Sequence, residues 1–430
     1  MADQTIRRVR FSWRHAVVAL TLLAAGTVAA CTEQLDGGAA CPALCPQQVE
    51  SFRDTTFDAV LLDTSLRDYP TLGLSAVQLL ANRPDTLVTR MVIRFDLLAF
   101  SFLANKVGSL DSVTTVDSVF LKLPLDTTGR RGTGPVTLQV FDVDTTASDS
   151  VAAVVAGLFT PRRLIGSITV TPAAIGDSLR IPLSRAVLQR KIAERSRLRV
   201  GVRMVSGSGQ LRVRAFQLGS GAPTLQYDPT TDTTYAPVVV NTNTSIVNAP
   251  TDVNLSYQVY TLTDVGSPNV PTTVLGVGGY PAYRSYLRFR VPARITDSAT
   301  IVRAELVLTQ QRSRFGNAND TVSLVPLVPT TTEVLSDVRR VLDLAAEASL
   351  ASVDTALLVP SDSGQRVLNV LALARTWKTL PTNVPRALAF RIGLEGAQPA
   401  ELRFFNSKAP AALRPKLRIT YLLRSEFAIP

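Results

Sequence analysis

Internal repetition is the feature that most constrains how this chain can fold. TRMVIRFDL (Thr89–Leu97) and YRSYLRFRV (Tyr283–Val291) align at an offset of 194 residues, and both carry Arg, three residues, then Arg-Phe. Further matches follow in the same order. VFLKLPL (Val119–Leu125) pairs with AELVLTQ (Ala304–Gln310), VTLQVFDV (Val136–Val143) with VSLVPLVP (Val322–Pro329), and QLRV (Gln210–Val213) with ELRF (Glu401–Phe404). Each half closes on a similar segment, APTLQYDP (Ala222–Pro229) and RPKLRITY (Arg414–Tyr421). The shared order predicts a domain of about 180 residues present twice. The polar, Pro-bounded DPTTDTTYAP supplies the joint. The expected boundaries are 50–228 for the first domain, 229–237 for the linker and 238–424 for the second.

The repeated segments are short runs of Val, Leu, Thr and Arg with period two, separated by Gly, Pro, Asp and Asn. This is the pattern of an all-β sandwich or barrel built from antiparallel strands. Alternation assigns the faces. Met91, Ile93, Phe95 and Leu97 point one way, and Arg90, Val92, Arg94 and Asp96 the other. In the second repeat Ser285, Leu287, Phe289 and Val291 oppose Arg284, Tyr286, Arg288 and Arg290. Burying one Phe or Leu contributes about 1.5–3 kcal/mol, so a one-residue slip that sends these side chains to water is heavily disfavoured. The expectation is an apolar inner face and an Arg-rich outer face on each domain. Few helices are expected: SDVRRVLDLAAEASL (Ser336–Leu350), SRAVLQRKIAE (Ser184–Glu194) and VLNVLALARTW (Val367–Trp377), the last two at matching places in the repeats.

The N-terminus carries an address. Arg7, Arg8, Arg10 and Arg14 form a basic region ahead of an apolar run from Ala16 to Ala30. About 15 apolar residues suits a signal peptide, whereas a spanning helix needs about 20. The ending Val28-Ala29-Ala30-Cys31 has small residues before a Cys whose thiol can accept diacylglycerol, so residues 1–30 read as a lipoprotein signal and Cys31 as the lipidation site. Thr32, rather than Asp, follows the Cys, as expected for outer-membrane sorting or cell-surface display. Residues 31–49 read as a tether. Within it Cys41 and Cys45 are spaced so that a small disulfide loop can close outside the cytoplasm.

Charge and composition narrow the function. The chain has 45 basic and 34 acidic residues, and losing the signal removes four Arg and one Asp, which leaves a net charge of +8. Only six of the basic residues are Lys. Arg grips carboxylate and phosphate in a bidentate way, which would suit anionic glycans or lipid head groups. An exported chain seldom meets nucleic acid, so none is expected as a partner. The only His, His15, lies within the signal, so the processed chain has no Ser-His-Asp triad, no Cys-His dyad and no His-ligated zinc.

The Arg-x-x-x-Arg-Phe-Asp strand, the Val-x-Leu strands, the Trp377 segment and the Pro-x-Leu closing strand together resemble the DNRLRE-type domain. That is a jelly-roll β-sandwich of secreted bacterial proteins, grouped with carbohydrate-binding modules. The resemblance covers about residues 50–228 and 238–422. It departs where the first repeat lacks a Trp and where Arg290 stands in place of Asp96. It implies two tandem jelly-roll sandwiches, a polysaccharide or cell-wall glycan as partner, and no catalysis.

Exposed aromatic rings stack on sugar faces. Five of the nine Tyr residues fall between 257 and 286. Tyr257, Tyr260, Tyr280 and Tyr283, with Arg284 and Arg288, are therefore the expected glycan site. Trp377 reads as core. Asp142 and Asp144, and Asn317, Asn319 and Asp320, could supply oxygens to a structural calcium ion, though neither cluster matches an EF-hand. No metal or cofactor ligand set is otherwise expected. The alternative reading is an envelope assembly lipoprotein whose sandwiches are spacers against another envelope protein. An enzyme using paired carboxylates on a glycan is disfavoured, since no such pair stands out. If the address is right, Cys31→Ala abolishes membrane partition on detergent fractionation; unchanged partition would count against lipidation.

Overall fold

The computed structural model describes residues 52–58, 60–69, 75–103, 109–132, 134–146, 151–215, 221–232, 235–242, 258–329 and 355–423. The signal, the tether with Cys31, Cys41 and Cys45, Tyr257 and the helix expected at 336–350 lie outside these described residues.

The first half of the chain supplies β1 (Arg53–Phe57), β2 (Val60–Tyr69), β3 (Val77–Arg83), β4 (Leu87–Phe95), β5 (Ser101–Leu103), β6 (Leu110–Ser112), β7 (Ser118–Arg131), β8 (Val136–Asp142), β9 (Leu164–Val170), β10 (Ser178–Pro182), β11 (Leu198–Ser206), β12 (Gly209–Arg214) and β13 (Thr224–Asp228). The second supplies β14 (Val238–Asn241), β15 (Val259–Val265), β16 (Val274–Gly279), β17 (Ala282–Phe289), β18 (Ala299–Gln311), β19 (Val322–Leu327), β20 (Ala356–Leu358), β21 (Gly364–Asn369), β22 (Ala387–Ile392), β23 (Glu401–Phe405) and β24 (Lys416–Leu423). All pairings are antiparallel and the class is all-β, as the period-two runs predict.

Two 11-stranded sheets result, each folded over its own core. One runs β14–β13–β7–β12–β3–β4–β11–β8–β9, with β10 also on β7 and β15 on β4. The other runs β1–β24–β18–β23–β16–β17–β22–β19–β20, with β21 on β18 and β2 on β17. The two orders match position by position. β7 makes the bend of the first: its start pairs with β10 and β13, its end with β12. β18 does the same against β24, β21 and β23. The alternation sends Met91, Ile93 and Phe95 into one core and Leu287 and Phe289 into the other. Trp377 is fully buried in the second core, and its Nε1 donates to the Ala387 carbonyl at 3.2 Å.

The matched orders also show that the strands do not follow the boundaries 50–228 and 238–424. β1 and β14 fill equivalent places, as do β2 and β15, yet each pair sits on the sheet of the other repeat. β1 pairs with β24 from Arg53↔Tyr421 to Phe57↔Leu417, and β2 pairs with β17. Reciprocally, β14 pairs with β13 and β15 with β4. Val240 and Val259 belong to the first core, and Phe57 and Val60 pack on the second. The expected partition is thus corrected: each sandwich takes its first two strands from the other repeat. A duplicated chain permits this because the two pairs fit equivalent slots.

Local chemistry prepares the slots. The β3–β4 hairpin is laddered only near its turn, at Asn82↔Val88 and Arg83↔Leu87, and β16–β17 only at Gly278↔Tyr283 and Gly279↔Ala282. Beyond those pairs β15 and β2 take over the pairing of β4 and β17. Hydroxyls satisfy backbone groups where the hairpins open. Thr89 Oγ1 accepts from Ala81 N and donates to Leu79 O, each at 2.8 Å. Ser285 Oγ donates to Gly276 O at 2.7 Å, and Ser65 Oγ, 2.8 Å from it, accepts from Gly276 N at 3.0 Å.

The expected helix at Ser184–Glu194 is α2 (Arg185–Ala193), second in chain order after α1 (Ala152–Gly157). Leu188 and Ile192 bury one stripe of α2, and Arg195 follows it in the left-handed region at φ 49°. In the matching segment Val367–Asn369 ends β21 instead. Only Leu371–Thr376 is helical there; it is α4, after α3 (Ala293–Thr296).

The Arg-rich outer face is also corrected in the first sandwich. Arg94, Arg199 and Arg212 are buried there. The segment carrying α1 covers part of that face: Phe159 lies 5.5 Å from Phe141, centroid to centroid, and 5.1 Å from the Arg90 guanidinium, which donates to Ala156 O. Arg94 pairs with Asp96 at 2.7 Å and Arg90 with Asp264 at 2.6 Å. The exchange makes a clear prediction. A protease site placed within 229–237 of the full chain, once cut, should leave a single species on size exclusion that separates only in denaturant. Two half-size species under native conditions would refute the exchange.

Candidate functional site

The residues expected to hold a glycan are mostly committed to the interior. Tyr260, Tyr280 and Tyr283 are 0%, 3% and 4% exposed, so none offers a ring face to a polymer. The sequence places them in a Tyr-rich stretch, but the structure disperses them: Tyr260 packs with Val92, Phe141 and Phe159 on the first sandwich, Tyr283 lies over the second beside Pro268 and Val270, and Tyr280 stands at the seam between them. Tyr280 follows β16 and packs with Leu79, Ala81 and Leu87 of the first repeat and Phe315 of the second. Burial pushes its hydroxyl up to about 12, although hydrogen bonds with the Thr261 side chain and the Leu79 backbone pull the other way. Tyr283 donates to Pro268 O at 3.2 Å, and the Arg67 guanidinium of β2 lies 5.8 Å from its ring. Arg288 is half-buried on β17, in register with Leu62 on one side and Ala387 on the other.

Arg284 has a different role from the one expected. Its Nε and Nη2 grip the two Glu395 oxygens, at 2.9 and 2.6 Å, and both side chains are largely buried. Such a bidentate pair fixes geometry as well as charge. It anchors the turn after β22, and Ser75 Oγ of the first repeat donates to Glu395 O at 2.8 Å from across the seam.

That turn forms one wall of a cleft of about 410 Å³ between the sandwiches. Gln210 and Arg212 of β12 come from the first repeat. Asn317, Asn319, Asp320 and Thr321 come from the turn after β18, and Leu394, Ala397 and Gln398 from the turn after β22. The two turns are stapled together by Gln398 Nε2, which donates to Thr321 O at 3.1 Å. The first is tied to the other sandwich by Arg83 Nη1, which donates to Asn317 Oδ1 at 2.9 Å. Gly316 takes φ +64°, and a Cβ there would strike the Pro399 carbonyl, so the turn enters the cleft on a backbone that only glycine accepts easily. Arg212 is neutralised from behind: Asp126 lies 3.3 Å away and Thr128 accepts from Nη1.

The FGNANDT segment therefore reaches a site, but Asn317 already gives its oxygen to a cation, Arg83. The other oxygen cluster is likewise engaged, since Asp144 binds Lys191 at 2.8 Å and Arg197 at 2.9 Å. Burial opposes ionisation of Asp144, yet those two cations outweigh it and hold the carboxyl below the ordinary range. Among the described residues no group of three or more His, Cys, Asp or Glu is placed to hold a metal. Gln210, Arg212 and Gln398 carried no motif signal. The QLRV–ELRF match marks Gln210 and Arg212 as counterparts of Glu401 and Arg403 without indicating that they line a cleft. Burial raises the Glu401 carboxyl, against the pull of Arg403 and Arg67.

No family model matches the chain, and no curated protein is significantly similar to it. Among solved structures, a protein of Parabacteroides distasonis described as secreted is 8% identical, with 85% of this chain and 99% of that one covered, at a TM-score of 0.23. An infectious bursal disease virus structure (Gx strain) is 11% identical over 86% of this chain and 76% of that one, at a TM-score of 0.12. Likeness at this level carries no argument about function. Among the described residues no helix is long and apolar enough to cross a membrane.

Tyr280 yields a pH prediction. Its folded-state value is raised, so its contribution is complete below the ordinary tyrosine value of about 10 and is lost as pH rises towards about 12. Tyr280→Phe should cost about 1 kcal/mol at neutral pH through its lost hydrogen bonds, and should flatten the fall in Tm between about pH 10 and 12. An unchanged alkaline slope would mean that other groups carry it.

Proposed function

We propose that this chain is an exported, non-catalytic lipoprotein that holds a polysaccharide or cell-wall glycan in the cleft between its two sandwiches, with Cys31 as its lipid anchor. One observation supports the ligand class: three carboxamides, from Asn317, Asn319 and Gln398, converge with Asp320 on one cleft over the buried Gln210. Each carboxamide carries both donor and acceptor atoms in a plane, which suits sugar hydroxyls that also donate and accept. The volume lies in the range of small-ligand sites, and seams between domains are where such sites concentrate. Among the described lining residues Asp320 is the one carboxylate, whereas glycoside hydrolysis uses a pair flanking the bond.

The spacer reading draws on a separate observation, the reciprocal strand exchange, which makes the two sandwiches one interlocked unit suited to holding a fixed distance. The two readings part on binding. Asn319→Ala in the full chain should weaken polysaccharide binding by about fivefold, the worth of one hydrogen bond of about 1 kcal/mol, with Tm nearly unchanged. If the unmodified protein retains no polysaccharide in pull-downs or on a glycan array, the spacer reading takes its place.

A further inference from the structure

We infer that the cleft is matched to an N-acetylated amino sugar rather than to a plain hexose or an acidic one. This rests on the glycan-binding reading above and names the sugar class. Two carboxamides in the cleft are half-used, and in opposite senses. Asn317 gives Oδ1 to Arg83, which leaves Nδ2 as a donor. Gln398 gives Nε2 to Thr321 O, which leaves Oε1 as an acceptor. The chemistry of the partners sets both orientations, because a guanidinium can only donate and a carbonyl can only accept. The cleft therefore offers one amide donor and one amide acceptor on two turns held in fixed relation. That is the complement of a ligand carrying both a C=O and an N–H, as an acetamido group does.

The same cleft supplies the apolar contact that an acetyl methyl needs. Leu394, 51% exposed, lines it beside Gln398 on the turn anchored by Glu395 and Arg284, with Ala397 buried beneath. A large apolar side chain held half-exposed in an otherwise polar cleft has little to offer a hydroxyl-only sugar. Charge argues against an acidic sugar. The cationic lining residue, Arg212, is already engaged by Asp126 and Thr128.

The test is calorimetric titration of the full chain with three oligosaccharides of equal length: N-acetylglucosamine oligomers, their de-N-acetylated counterparts and cello-oligosaccharides. The expected result is a preference of about tenfold or more for the acetylated series over both others. Leu394→Asn, at a half-exposed position where folding is spared, should erase most of that preference while Tm holds. Cello-oligosaccharides or the de-N-acetylated series binding as tightly as the acetylated one would overturn the acetamido assignment and leave glycan binding standing. A preference unchanged in Leu394→Asn would overturn the placement of the acetyl group in this cleft. Binding of none of the three would overturn this inference, and failure on a broad polysaccharide array as well would overturn the glycan reading beneath it.

Discussion

Two opened hairpins govern this structure. Where β3 parts from β4, and β16 from β17, each leaves a row of backbone N–H and C=O groups that must find partners once buried. The partners are β15 and β2, and each comes from the other repeat. Everything at the seam follows from that crossing. The chain must pass between the sandwiches to make both exchanges, so Tyr280, Phe315 and Arg83 are brought into contact with the opposite repeat. Truncating one repeat would remove two strands from the sheet of the other, and neither core would remain closed.

The cleft is a by-product of the same constraint. Its floor comes from β12 of one sandwich and its walls from two turns of the other, so neither repeat holds a complete version. Fixation is by polar side chains at turn positions: Arg284 on Glu395, Arg83 on Asn317, Gln398 on Thr321. The contacts range from the largely buried Arg284–Glu395 pair to the exposed Gln398–Thr321 bond, and their geometry is more informative than their strength. They hold the donor and acceptor atoms of two amides in a set relation without filling the space between them.

The β class, the duplication and the facing of the central strands were legible in the sequence, because period-two alternation is a local property. Met91, Ile93 and Phe95 point inward whichever strand lies beside them. The neighbour itself was not legible. In a duplicated chain two segments fit the slot beside β4 equally well, and alternation is silent on which one occupies it. The fate of Tyr280 is not legible for a related reason. A ring at a turn reads the same whether solvent or a second sandwich lies beyond it, and Tyr280 is buried against Leu79, Ala81 and Leu87 of the other repeat. Alternation puts Arg94 on the face away from the core, where it is nonetheless buried; a short covering segment such as that around Phe159 leaves little periodic trace. The cleft residues gave no motif because carboxamides on turns are common and their convergence is set by tertiary structure.

The exchange also reorders the molecule mechanically. Residues ahead of Arg53 run directly into β1, and β1 is zipped to β24 of the second sandwich. Tension delivered through that segment therefore loads the repeat that lies farther along the chain before it loads the nearer one. To reach the first sandwich it must pass through β2 and its pairing with β17. Along the line of force the order of the two domains is the reverse of their order in the gene.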